Sequence, residues 1–160
     1  MMNKISLTTL LLAVSLFACG QNESPNTKSE GVFEVQKTEE EWKAQLSEIE
    51  YEVLRNEGTE RAFSGKYVDW KEEGVFTCKA CGNPLFESKT KFKSGTGWPS
   101  FYDFISGNVT EKPDNKYGWN RTEVECARCG SHLGHVFEDG PEPTGLRYCI
   151  NSVSLNFKEK

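Results

Sequence analysis

In Leu146-Arg147-Tyr148-Cys149-Ile150-Asn151-Ser152-Val153-Ser154-Leu155-Asn156-Phe157, Tyr148, Ile150, Ser152 and Ser154 alternate with Cys149, Asn151, Val153 and Leu155. A period of two belongs to a β-strand with two different faces. It predicts Cys149 and Asn151 on one side of that strand, with Arg147 beside them. Shorter runs of similar character precede it: Val75-Phe76-Thr77, Leu85-Phe86, Val109-Thr110 and His135-Val136-Phe137, divided by Gly, Pro, Asn and Asp. Many short strands between turn signals predict a mainly β, antiparallel domain.

Before Gly58 the pattern is helical. Thr38-Glu39-Glu40-Glu41 forms a capping box ahead of Trp42 and Leu46, which lie four apart on one face. Ser47-Glu48-Ile49-Glu50 repeats the box and predicts a second short helix carrying Tyr51, Val53 and Leu54, with Gly58 as its stop. One continuous helix fits the same residues.

The chain has 160 residues, a formal net charge of −5, 36% hydrophobic and 12% aromatic residues. That length suits one folded domain. The acidity excludes a nucleic-acid partner, which needs a basic face. At the start, Asn3 and Lys4 precede an apolar stretch from Ile5 to Phe17, the pattern of a signal peptide over 1–18. Leu16-Phe17-Ala18-Cys19 resembles a lipobox, with Cys19 as the lipid-modified residue. An ordinary export signal with an incidental Cys19 is the alternative. Residues 19–37 are polar and read as a flexible tether; the folded domain is expected over 38–160. The expected location is outside the cytoplasm, anchored to a membrane through lipid.

Four of the remaining cysteines form two pairs, Cys78-Lys79-Ala80-Cys81 and Cys126-Ala127-Arg128-Cys129, each followed by glycine (Gly82, Gly130). Two such knuckles suit a closed, structural zinc(II) site, since a two-residue gap lets both sulfurs reach one ion and glycine permits the tight turn. Two disulfides or a redox-active pair compete with this reading. Cys149 is then unpaired, and an unpaired thiol is either reactive or buried and inert. Arg147 would favour its thiolate and Asn151 could donate a hydrogen bond. The only histidines lie in Ser131-His132-Leu133-Gly134-His135. Such a pair is often structural, but beside a free thiol it can transfer protons.

Gly97-Trp98-Pro99-Ser100-Phe101, His132-Leu133-Gly134-His135-Val136-Phe137, and Asp139-Gly140-Pro141 through Thr144 to Ser152 resemble segments of the B-class methionine-(R)-sulfoxide reductases. Tyr51-Glu52-Val53-Leu54-Arg55 and Phe63-Ser64-Gly65 are similar too, so the resemblance covers about residues 38 to 157. It implies a β-tent fold and a monomer. It implies reduction of methionine sulfoxide, free or in oxidised proteins, through a Cys149 sulfenic acid. In that scheme Trp98 and Phe101 bind substrate, His132 and His135 position and protonate the oxygen, Asn151 orients the group and Arg147 supports the thiolate. Trp98 on its own reads equally as a core residue. Many relatives carry a recycling cysteine where this chain has Thr96, which implies direct reduction by an external thiol such as a thioredoxin-like protein. Outside this family, a zinc-stabilised binding module accounts for the four paired cysteines alone, and a thiol peroxidase for Cys149 without Trp98.

Overall fold

The computed structural model describes residues 33–160. The expected signal peptide and Cys19 lie outside the described residues, as does most of the tether. Its last residues are ordered: the Val35 N–H donates to the Arg128 carbonyl at 3.0 Å, and Glu34 pairs with Arg128 at 2.8 Å. Val35 also packs against the core, so contacts with the folded part include residues before Thr38.

Two short helices open it, α1 (Glu39–Gln45) and α2 (Glu48–Asn56). Each capping box forms: Glu41 accepts from the Thr38 N–H at 2.8 Å, and Glu50 from the Ser47 N–H at 2.9 Å. The second box interrupts the helix at Leu46, which settles the choice between one helix and two. Trp42, Leu46, Val53 and Leu54 are buried. The left-handed residue that ends α2 is Glu57, one before the expected Gly58.

The rest is antiparallel β structure. Strands β1 (Gly74–Cys78), β2 (Pro84–Glu87) and β9 (Leu155–Glu159) form a three-stranded sheet in the order β2-β1-β9. A six-stranded sheet holds β3 (Lys91–Phe92), β4 (Ser100–Phe101), β8 (Arg147–Ile150), β7 (His132–Phe137), β6 (Arg121–Cys126) and β5 (Val109–Asp114), in that order. Aromatic side chains join the sheets. Phe76 on β1 meets Phe101 on β4 edge-on, centroids 5.1 Å apart, and Phe86 stacks on Phe101 at 4.4 Å. Phe101 is fully buried in this cluster. The expectation that it binds substrate is therefore corrected: it holds β4 from behind.

The segment Leu146 to Phe157 is not one strand. The chain leaves the large sheet after Ile150, makes a 3-10 turn over Ser152–Ser154 and enters the small sheet as β9. Alternation therefore places Arg147 and Cys149 on one face of β8 but says nothing about Asn151. Asn151 reaches the site by another route, described below.

Candidate functional site

The paired cysteines come together at the joint between the sheets. Each knuckle turns through a left-handed glycine, Gly82 at φ +74° and Gly130 at φ +66°. Gly82 and Gly130 donate to the carbonyls of Cys78 and Cys126, each at 2.8 Å. A side chain at either position would strain the turn. The Sγ atoms of Cys78 and Cys129 lie 3.8 Å apart, and those of Cys81 and Cys126 3.6 Å. All four sulfurs lie within 4.8 Å of one another. Metal–sulfur bonds of about 2.3 Å in a tetrahedron give sulfur–sulfur edges of roughly 3.8 Å, so the cluster fits a four-sulfur metal ion. No disulfide joins the described cysteines.

The surroundings brace this cradle. Asn83 Nδ2 donates to Cys126 Sγ at 3.5 Å, and Cys129 Sγ lies 3.3 Å from the Ser131 hydroxyl. Arg55 from α2 donates to the Cys129 carbonyl at 3.2 Å. Gln45 from α1 donates to the Ala80 carbonyl at 2.6 Å. The helices thus fasten both knuckles, and a metal here would hold the two sheets and the helical entry together.

Cys149 lies away from the cradle, in the middle of the large sheet. Its neighbours in register are Ser100 on β4 and His135 on β7. The Thr96 hydroxyl is 3.8 Å from its sulfur. Burial pushes the thiol pKa up; Thr96, Arg147 and Ser100 pull against this without cancelling it. Arg147 thus acts on the thiol in the direction opposite to burial, and burial outweighs it. The guanidinium is held by Asp139 at 2.8 and 2.9 Å and lies over the Phe137 ring at 4.4 Å.

Residues three apart in a regular strand face opposite sides, yet the imidazoles of His132 and His135 lie 5.4 Å apart. The reason is a bulge. On β6, Val124 faces Gly134 while Glu125 faces His132, which leaves Leu133 out of the ladder. The Leu133 carbonyl instead accepts from the Asn151 main-chain N–H at 2.8 Å and from Asn151 Nδ2 at 3.1 Å. One irregular residue thus groups both histidines and ties Asn151 to the strand that carries them.

Two carboxylates absent from the sequence expectations orient the rings. Glu123 Oε1 is 2.6 Å from His132 Nδ1, and Asp114 Oδ2 is 2.9 Å from His135 Nε2. Burial would raise the Glu123 pKa, but His132 and Lys112 outweigh it and the net direction is down. It therefore accepts from His132 Nδ1–H. His132 Nε2 is buried and has no hydrogen-bond partner among the described residues. Burial pushes the His135 pKa down, and Asp114 only partly restores it. Burial would also raise Asp114, but the Lys116 N–H, His135 and Arg121 hold it at about 2.

Trp98 is partly buried, and its indole N–H donates to the Glu60 carbonyl at 3.1 Å. Adjoining it, the exposed Phe63 donates its N–H to the Gly97 carbonyl at 2.8 Å. Lone acids such as Asp114, Glu123 and Glu60 carry no local signal of their partners.

An unpaired thiol, two carboxylate-oriented histidines and a separate four-sulfur cradle that fits a metal ion are groups suited to an oxidoreductase. The description "SelR domain" matches residues 46–159. A peptide methionine sulfoxide reductase MsrB of Methanosarcina barkeri is 67% identical over 78% of this chain and 88% of its own length. Proteins of the same name are similar in Thiobacillus denitrificans, 58% identical over 78% of this chain and 95% of its own, and in Pseudomonas savastanoi pv. phaseolicola, 60% identical over 76% and 94%. The chain belongs to the MsrB family of methionine-(R)-sulfoxide reductases.

Proposed function

We propose that this chain reduces methionine-(R)-sulfoxide in polypeptides through Cys149. The observation that carries the reading is the buried, unpartnered Nε2 of His132 on the bulged strand that pairs with the Cys149 strand. With Nδ1–H given to Glu123, Nε2 carries a hydrogen only when the ring is an imidazolium, and in that form it donates to a sulfoxide oxygen, which can only accept. In the reaction the Cys149 thiolate attacks the sulfoxide sulfur. As imidazoliums, His135 and, through Nε2–H, His132 position the oxygen and protonate it, so that it leaves as water when the S–O bond breaks. That water then attacks the Cys149 sulfur, the new sulfur–sulfur bond breaks, methionine leaves with its electron pair, and loss of one proton leaves Cys149 as a sulfenic acid. An external thiol displaces that oxygen as water and forms a mixed disulfide. A second thiol of the same donor, as in a thioredoxin-like dithiol, releases Cys149 as the thiol. Trp98 walls the methyl group, and Asn151 orients the sulfoxide.

The four-cysteine cradle suits Zn2+, which favours tetrahedral thiolate sets; with every protein ligand used, it would serve structure alone. Attachment through lipidated Cys19 would place the enzyme at the cell envelope, acting as a monomer on oxidised envelope proteins. The support for this is the apolar run from Ile5 to Phe17 followed by Ala18-Cys19. To test the activity, a peptide carrying both sulfoxide epimers is incubated with a dithiol, and each epimer is followed by chromatography. Loss of the R form only, abolished by Cys149→Ser at intact metal content, is expected. Consumption of both epimers, or of neither, would refute the proposal.

A further inference from the structure

Glu60 is a buried carboxylate, 5% exposed, in the loop between α2 and β1. Among the described residues no Lys or Arg pairs with it. Its partners are instead two main-chain N–H groups at the 3-10 turn after the Cys149 strand: Ser152 donates to Oε1 at 2.6 Å and Val153 to Oε2 at 3.0 Å. Burial pushes its pKa up, opposed by those two donors. A carboxylate is required by this geometry. A glutamine amide would accept from one N–H and turn its own donors toward the other.

The main chain of the same residue faces the site. The Glu60 N–H donates to Asn151 Oδ1 at 3.0 Å, and the Glu60 carbonyl accepts from Trp98 Nε1–H at 3.1 Å. Asn151 Nδ2 already donates to Leu133 at 3.1 Å, so its amide plane is fixed at both ends. That leaves its second Nδ2 hydrogen for a ligand. The packing has no slack: a Cβ on Gly65 would lie 2.3 Å from Ser152 Cβ and 2.7 Å from Glu60 Oε1.

We infer that Glu60 is a positioning residue: its carboxylate, locked onto the Ser152–Ser154 turn, makes its own main chain a template that sets Trp98 and Asn151. The inference rests on the proposed reaction for what those two side chains contact, but its geometry can be tested without turnover. Glu60 touches no substrate and acts only through the other two.

The test compares the full chain with Glu60→Gln and Glu60→Asp. The readouts are metal content, the 15N-resolved resonances of the Trp98 indole N–H and the Asn151 side-chain amide, and kcat and KM for the R-sulfoxide peptide. Glu60→Gln is expected to keep its metal, shift both resonances and raise KM about tenfold, with kcat changed less than about threefold, because the affected contacts bind ground state and transition state alike. Glu60→Asp keeps both acceptor oxygens one methylene short, so it should fall between the two. Unmoved resonances in Glu60→Gln would overturn the inference. So would equal losses in kcat and kcat/KM at unchanged KM, or failure of both variants to fold, since a general role in folding would then account for the contacts. If the parent reduces no R-sulfoxide but the two resonances still shift, the positioning stands and the proposed reaction fails.

Discussion

The hydroxyl of Thr96 lies 3.8 Å from the sulfur of Cys149, across the junction between the Trp98 loop and the β4–β8 ladder. It is the side chain that a sulfur at position 96 would replace, and it already faces the Cys149 sulfur.

Thr96→Cys should therefore convert the chemistry of recycling. After one turnover without reductant, mass spectrometry of the parent is expected to show one added oxygen on Cys149. The variant is expected to show loss of two hydrogens and a bond between positions 96 and 149, because the new thiol expels the sulfenic oxygen as water. An added oxygen retained in the variant would show that the two positions do not meet.

Arg147 works against the effect of burial on Cys149. Removing its charge in Arg147→Met raises the thiol pKa further, leaving less thiolate at a given pH. The inflection in Cys149 alkylation by iodoacetamide should move up by about one pH unit. Asp139→Asn, which frees the guanidinium without removing it, should move it less.

Asp114 raises the His135 pKa against a larger lowering by burial. In Asp114→Asn that support is lost and the His135 pKa drops further below 6.5. If protonated His135 supplies the proton, the limb of kcat that falls with rising pH should shift to lower pH, with a loss of about threefold to tenfold at pH 7. Stability follows with a definite sign. Asp114 is held at about 2, below its ordinary 3.8, so its contribution is present above pH 3.8 and is lost as pH falls toward 2. Denaturant midpoints of parent and variant should differ at pH 7 and converge on acidification.

Cys126→Ser opens the cradle. A fully liganded sulfur site contributes to folding outright, so bound metal should fall well below one per chain and stability by more than about 3 kcal/mol. Elemental analysis with thermal melts reads both. A variant that keeps its melting temperature without metal would show that the cradle does not brace the fold.

Gly134→Ala tests the seam between β7 and β8. A Cβ there would stand 2.0 Å from the Cys149 carbonyl oxygen, a main-chain atom that cannot swing aside. The expected cost is above about 3 kcal/mol, read as loss of soluble folded protein.

Local chemistry made much of the architecture legible. Both capping boxes lie within four residues of their helices, and the knuckles announce themselves by spacing and glycine. The strands after Gly58 were likewise visible as β-branched and aromatic runs between turn residues. What stayed hidden depends on partners remote in sequence. The bulge at Leu133 exists because β6 and β7 slip by one residue, and only that slip brings His132 to His135. The break after Ile150 is met by Glu60, 91 residues before Asn151, which bonds Asn151, Ser152 and Val153. Asp114 and Glu123 have nothing in their neighbouring sequence that marks them as partners of the histidines. Phe101 was misplaced because it shares a motif with Trp98 while its side chain points into the core.

The strand that follows the Ser152–Ser154 turn pairs with β1, so Leu155 sits opposite the knuckle residue Cys78. On the proposed reaction, and with a metal in the cradle, repair chemistry and metal anchorage are cut from one continuous length of backbone. An oxidant harsh enough to strip the anchorage would loosen the very ribbon that aims the nucleophile, so repair capacity would end as a cooperative event instead of fading sulfur by sulfur.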